Sequence, residues 1–348
     1  MEVCFVDVAQ GTSNVVLIGD RRAIVIDCGG EQSATLLSVL RRFSIDTICR
    51  LIVSHSHDDH SGGAATLLTA FQGRIDELWM LDDVRRSTSL FGQRVLEELR
   101  NGRIDPARIR RLERDERPHV IFREGPIILS LISPNFATNL LATDPNQTSA
   151  ILVLKRGKQQ VLFASDSTIG EWREVMRLRG TPFHCSLITV PHHAGAMWES
   201  QTKGEPTQEY EARIQADLDW LYSDAIIARF GIISVGTNNQ HRHPRPEVLE
   251  AMRRFGILPI CTQMTRQCYD DLEVQRARSL PMIHPSRSVV RQDLSASGNS
   301  RNVACKGTVL AEVREDEVVI HRLAEHQTMI DQLAVQHGGT PLCRAASP

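Results

Sequence analysis

The sequence predicts a mixed α/β fold, and three observations predict it. Short β-rich runs alternate with segments of helical periodicity along most of the chain. Several of the runs end in His or Asp, and strand ends are where ligands gather in layered α/β folds. The composition, 41% hydrophobic and 24% charged over 348 residues, is that of a folded globular protein and excludes extended disorder, collagen-like sequence and a disulfide-dense miniprotein.

Taken in order, Val3–Val8, Val15–Ile18 and Ala23–Ile26 read as a meander of strands separated by Gly-containing turns, and helical periodicity follows over Gln32–Phe43. The strand Leu51–Ser54 runs into a His-rich loop, after which Gly62 and Gly63 open a small-residue helix. The strand-loop-helix order recurs at Glu77–Leu81, at Val161–Ala164 with Glu171–Leu178, at Leu187–Val190, and at Ile232–Val235 with Pro246–Phe255. Residues 82–124 are Arg-rich and weakly helical (Phe91–Arg100, Ile109–Glu113) and read as an insertion. Residues 275–302 lack an apolar period and read as a long loop. Two strands (Thr308–Val313, Val318–Ile320) and a helix over Leu323–Gln336 close the chain. The expected division is a domain over 1–265 and an extension over 266–348 that packs on it.

No run approaches the ~18 uninterrupted apolar residues of a membrane helix, and Met1–Gly11 has neither a basic leader region nor a cleavage site, so the expected location is cytoplasmic. Net charge is only −2, so no global field draws the chain onto nucleic acid. Of the 40 basic residues four are lysines, which leaves 36 arginines. Genomic base composition explains that bias, and so does recognition of phosphate by the guanidinium fork.

The chemistry concentrates in His55-Ser-His57-Asp58-Asp59-His60. Three imidazoles and two carboxylates in six residues are too polar to pack unless something charged binds them, and that donor set suits zinc, with manganese or iron as alternatives. A solvated His-rich loop is disfavoured by the apolar strand before it and the Gly-Gly turn after it. Two later strands end in the same way: Val161–Ala164 runs into Ser165-Asp166, and Leu187–Val190 into Pro191-His192-His193-Ala-Gly195.

With these pieces in place the chain resembles the metallo-β-lactamase superfamily, and within it the hydrolase domain of bacterial competence-type DNA-uptake channels. Seven blocks appear in family order: Val6–Gly11, Val25–Gly29, the His55–His60 loop, Asn146–Leu152, Ser165-Asp166, Pro191–Gly195, and Ser234–Gly236 through His243-Pro244. The resemblance implies a four-layer αββα sandwich with a dinuclear metal centre. It implies that His55 and His57 hold the first metal and Asp59 and His60 the second, that Asp166 bridges them, and that His192 completes the second site with His193 as the fallback ligand or a neighbour of the site. Asp27 then either fixes the tautomer of a ligand imidazole or caps a turn. The further His that many members supply before the bridging Asp is missing, and Asn146 and Ser149 are the polar candidates in its place; His119 reads as a surface histidine.

Two such ions, zinc most simply and manganese as the alternative, would activate a hydroxide for hydrolysis. His243 would stabilise a phosphate oxygen or protonate a leaving alkoxide, with Arg242 and Arg245 binding further phosphate; the bland reading is a helix-entry loop. The expected function is therefore a phosphodiesterase or nuclease acting on nucleic acid or a nucleotide, with Asp59 and His243 in the catalytic set. An ester, lactone or thioester hydrolase is the alternative, kept open by the 5% aromatic content, which argues mildly against a stacking groove for single strands. A non-catalytic metal-binding module is disfavoured by the near-complete ligand set. The chain carries no channel, so any pathway role would come through a separate protein partner.

Eight cysteines remain. Cys261, Cys268 and Cys305, with His284 between them in sequence, could hold a structural zinc, although ordinary reduced thiols or a redox pair would fit as well. Cys4, Cys28, Cys49 and Cys185 read as small buried hydrophobes, and Cys343 as an exposed tail thiol.

Overall fold

A computed structural model of the chain describes residues 1–29, 33–81, 90–114, 118–142, 144–237, 239–265, 267–268, 304–337 and 341–344. The first half builds β1 (Glu2–Phe5), β2 (Ser13–Gly19), β3 (Arg22–Cys28), α1 (Ser33–Arg42), β4 (Thr47–Val53), α2 (Asp58–Ser61), α3 (Ala64–Ala70), β5 (Ile75–Met80), α4 (Leu90–Arg100) and β6 (Ile109–Arg111). Then come β7 (His119–Glu124), β8 (Ile127–Ser133), α5 (Phe136–Leu141), β9 (Ile151–Arg156), β10 (Gln159–Phe163), α6 (Ile169–Arg179) and β11 (Phe183–Thr189). The chain continues with α7 (Thr207–Trp220), β12 (Ile226–Ile233), α8 (Pro246–Arg254), β13 (Leu258–Cys261), β14 (Val309–Val313), β15 (Val318–Ile320) and α9 (Leu323–His337).

The strands form two sheets, in the orders β15-β14-β1-β2-β3-β4-β5-β6 and β13-β12-β11-β10-β9-β8-β7. β3 shows why they stack. Its residues are buried on both faces: Ile24 and Ile26 enter the core between the sheets with Leu129, Leu152 and Phe163, while Ala23 and Val25 pack with Leu36 and Leu40 of α1 and Leu67 of α3. Period-two alternation with both faces apolar demands cover on both sides. On the far side of the second sheet a third cluster joins Leu162 and Ile188 to Trp172 of α6, Leu218 of α7, Met252 of α8 and Leu333 of α9. Helices, sheet, sheet, helices is the four-layer order the resemblance implies.

Local chemistry places the helices. α6 begins in a capping box, Thr168 accepting from Glu171 N–H and Glu171 accepting from Thr168 N–H, and ends on Gly180 at φ 73°. α8 carries Pro246 in its first turn, where a missing N–H costs nothing.

One helical expectation fails. Ile109 and Leu112 have helical spacing, yet Ile109–Arg111 is the edge strand β6, parallel to β5. Arg110 pairs with Glu77 at 3.3 Å across that edge, and pairing with β5 outweighs a short helical period. Residues 275–302 lie outside the described residues. Among the described residues no helix is long and apolar enough to cross a membrane.

Candidate metal centre

Much of the centre stands at or just past the carboxyl end of a parallel strand, with Asp27 on β3, Ser54 and His55 after β4, Ser165 and Asp166 after β10, His192 and His193 after β11 and Ser234 after β12, while Asp59 and His60 come from α2. Several sit in the left-handed backbone region, with φ 60° at Asp27, 46° at Ser165, 51° at His192 and 52° at His193. Non-glycine residues seldom hold that conformation, and they do so here in one cluster.

Two donor groups result. Asp59, His60, Asp166 and His193 offer ligand atoms within 4.8 Å of one another, and so do His55, His57 and Asp59. His60 Nε2 lies 3.2 Å from His193 Nε2, and His55 Nε2 lies 3.2 Å from His57 Nδ1. Asp166 stands between the groups. Its Oδ1 is 3.0 Å from His60 Nε2 and 3.5 Å from His193 Nε2, and its Oδ2 is 3.9 Å from His55 Nε2 and 3.8 Å from His192 Nε2.

The sequence reading preferred His192 over His193. Buried His193 brings its Nε2 into the group with Asp59, His60 and Asp166, while His192 keeps Nε2 3.8 Å from Asp166 Oδ2, has Nδ1 3.0 Å from Ala196 O and borders a cavity of about 740 Å³.

The surrounding hydrogen bonds hold the imidazoles by their other nitrogens. Asp27 Oδ2 lies 2.8 Å from His60 Nδ1, His193 Nδ1 lies 2.7 Å from Ser234 O, and Ser149 Oγ and Ser54 Oγ are each 3.1 Å from His55 Nδ1. Ser149 thus meets the outward nitrogen of His55. Asn146 borders the cavity, its Oδ1 buried without a hydrogen bond. Ser54, Ser165 and Ser234 were missed in the sequence, and serines at strand ends carry no pattern that singles them out.

Buried charge shapes the protonation of the cluster. Burial and then the neighbouring His60 hold His55 well below the usual imidazole range. For His60 burial acts in the same sense but is overcome by Asp166 and Asp27, so its pKa is raised. Burial would raise Asp166, yet His60 and His193 keep it well below the usual carboxylate range.

The donors fit a divalent cation. Asp166 Oδ1 is buried without a hydrogen bond although His60 Nε2 is 3.0 Å away, so the two atoms lie side by side, as ligands to a third atom do. Imidazole nitrogens with carboxylate oxygens make up the ligand set of zinc and, with more oxygen, manganese.

His243 closes one side. It is buried, its ring centroid 5.3 Å from that of His192 and 6.0 Å from that of His193, and its Nδ1 makes no hydrogen bond. Asn239 fixes it, accepting from His243 N–H at 2.7 Å and donating to His243 O at 2.9 Å. Burial, then His193 and His192, push the His243 imidazole down to about 3, which favours the neutral ring. Arg242 is exposed and outside the cluster. Arg245 donates its backbone N–H to Ala194 O at 2.7 Å, and its Nε is buried without a hydrogen bond.

Residues 8–178 match the family model described as Metallo-beta-lactamase superfamily. The chain carries a metallo-beta-lactamase superfamily domain. The resemblance read from the seven blocks therefore holds at the level of the superfamily, which makes a metallohydrolase the coarse reading of this domain. Recombination protein 2 of Haemophilus influenzae is 24% identical over 290 residues, covering 80% of this chain and 30% of that protein. ComE operon protein 3 of Bacillus subtilis is 23% identical over 283 residues, covering 74% and 31%. The chain spans about a third of the length of these relatives. Among solved structures, the metallo-beta-lactamase fold protein YhfI from Bacillus subtilis aligns with a TM-score of 0.41 at 11% identity over 74% of this chain and 95% of that one. The short form of human tRNase Z aligns at 0.34 and 12% identity over 54% and 77%.

The cysteine expectation is corrected in part. Cys343 is fully buried, because the 341–344 segment packs into the core on the helical side of the second sheet. It lies with Cys305 and His326. His284, the imidazole chosen from sequence, is outside the described residues. Cys4, Cys28, Cys49 and Cys185 are buried in or beside strands, as expected of small hydrophobes.

Proposed function

We infer that the domain is a metal-dependent phosphodiesterase acting on nucleic acid or a nucleotide. The observation that carries the reading is His243, a buried ring beside His192 and His193 whose Nδ1 has no hydrogen-bond partner. A buried polar atom left without a partner costs about 1–3 kcal/mol, so the ring awaits a group supplied by the substrate. Arg245 Nε, two residues on, adds a second buried nitrogen in the same condition. The name of the Haemophilus relative, Recombination protein 2, agrees with a nucleic-acid substrate.

In this reading Asp59, His60, Asp166 and His193 hold one cation and His55 and His57 the other, with Asp166 between them. Two divalent ions bound there would supply Lewis acidity and water of lowered pKa. The rest falls to the chain. Asp27 orients His60, Ser54 and Ser149 hold His55, and Ser234 O holds His193. Neutral His243 binds a substrate oxygen through Nδ1, and Arg245 adds positive charge where phosphate charge is highest.

One observation favours a second reading. The cavity bordered by His192 and Asn146 carries Asp144, Glu174, Glu199 and Asp217 against Arg173 and Arg213, and Arg173 is paired with Asp217. A wall of that sign repels a polyanion and would suit an uncharged ester, lactone or thioester. A substrate panel decides: single- and double-stranded DNA, RNA, cyclic dinucleotides and a simple lactone, each with zinc and with manganese. Phosphodiester turnover is the expected result, and lactone turnover alone would overturn it.

A further inference from the structure

Away from the histidine cluster, four thiols and an imidazole from distant parts of the chain meet in one buried place. Cys305 Sγ is 3.2 Å from His326 Nε2 and 3.7 Å from Cys343 Sγ, and these three ligand atoms all lie within 4.8 Å of one another. Cys261, at the end of β13, is buried and donates its backbone N–H to Cys343 Sγ at 3.1 Å. Cys268 is buried nearby, its Sγ 4.0 Å from Thr265 Oγ1.

We propose that Cys261, Cys305, His326 and Cys343 form a structural zinc site, separate from the catalytic centre. The spacing carries the assignment. With Zn–S about 2.3 Å and Zn–N about 2.0–2.1 Å, a tetrahedron has S···S edges of about 3.8 Å and S···N edges of about 3.6 Å. The observed 3.7 Å and 3.2 Å are close to those edges, whereas a disulfide would bring the sulfurs to about 2.0 Å. Three thiols and one imidazole are a closed structural set with no position left for water, as complete burial of the group requires. The N–H of Cys261 aimed at Cys343 Sγ is the kind of outer hydrogen bond that supports a ligating thiolate. On binding, the three thiols release their protons to solvent.

The site ties together segments that also hydrogen-bond one another. Cys305 N–H and Lys306 N–H donate to Thr262 O and Cys261 O, each at 3.0 Å, Arg253 donates to Leu342 O at 2.6 Å, and Gln327 donates to Cys343 O at 3.0 Å. A zinc there would fix the end of β13, the segment from Ala304 to Lys306, α9 and the 341–344 tail in one knot.

The test uses cobalt, because no thiol stands in the catalytic donor groups and a thiolate-to-cobalt charge-transfer band reports this site alone. The full chain, prepared reduced and metal-free, is titrated with Co²⁺. The expected result is a near-ultraviolet thiolate band that saturates within the three equivalents the chain would bind, is erased by added zinc, is lost in Cys343→Ser, and persists in Cys268→Ser and in Asp166→Ala. The Asp166 variant separates the outcome from the catalytic reading, since it disturbs that centre only. Absence of the band in the folded wild-type chain would overturn the proposal, and so would an intact mass two hydrogens short that maps to a Cys305–Cys343 disulfide. Loss of the band in Cys268→Ser would overturn the assignment of Cys261 as the fourth ligand.

Discussion

Asp27 Oδ2 and His60 Nδ1 lie 2.8 Å apart, and the other oxygen of the same carboxylate accepts Ser54 N–H at 2.7 Å. The aspartate is thus anchored to β4 while it aims an imidazole that β4 does not carry. Asp27→Asn removes the charge and suits the φ of 60° that Asn tolerates. Losing such an outer partner lowers metal affinity about 10- to 100-fold. Competition with a chromophoric chelator measures it, and unchanged affinity would assign Asp27 to turn structure alone.

Asp166 presents one oxygen to each donor group. Elemental analysis of Asp166→Ala should therefore find both catalytic metals depleted. Asp59 is partly exposed at the rim, and Asp59→Ala should lose about one metal and nearly all turnover. Full activity in Asp59→Ala would eliminate the dinuclear reading.

His243→Ala should leave metal content intact and lower kcat on a phosphodiester by about 10²- to 10⁴-fold, the range for a lost acid or oxyanion donor. An activated ester should suffer much less, since it brings no phosphoryl oxygen to Nδ1. If metal is lost as well, His243 is a ligand and the role of His193 must be redrawn.

A methyl group at Gly29 would stand 1.5 Å from the carbonyl oxygen of Asp59. Backbone presses on backbone there, so Gly29→Ala must push the His55–His60 loop away. We expect loss of metal together with a lower Tm, where a surface Gly→Ala exchange changes stability by less than about 1 kcal/mol.

Glu171 is buried beneath the cavity wall, its pKa raised by burial, with Oε1 lacking a hydrogen bond. The folded state therefore keeps a proton that the unfolded chain releases. Stability from this group is full below the ordinary carboxylate pKa and is lost as pH rises through the raised value. Glu171→Gln should thus melt higher than wild type at pH 8 and show little advantage at pH 4. A gain of about 1 kcal/mol would read as ~2–4 °C in a thermal scan. An equal difference at both pH values would show that the carboxyl does not titrate in that window.

The histidine loop was legible because six contiguous residues carry five ligand groups, and Asp166 and the His192-His193 pair because each follows an apolar run. The choice between His192 and His193 was not legible: both have left-handed φ, and only tertiary placement decides which ring turns inward. His326 and Cys343 escaped for a related reason. They are 17 positions apart on a helix and a tail, and no local spacing links them to Cys305. β6 was misread because three residues at a sheet edge hold too little sequence to reveal a period.

β14 lies along the outer edge of β1, Val3 opposite Ala311 and Phe5 opposite Val309, and Met1 O accepts from Val313 N–H at 2.8 Å. A chain cut after residue 265 would keep every catalytic candidate and still uncover that edge. The bared strand, Glu2–Phe5, would be an open row of donors and acceptors on an apolar ribbon, which is a template for strand addition by another molecule. For whoever expresses the protein, the C-terminal strands act as a guard against self-assembly, and the smallest well-behaved unit is larger than the smallest one that holds the catalytic candidates.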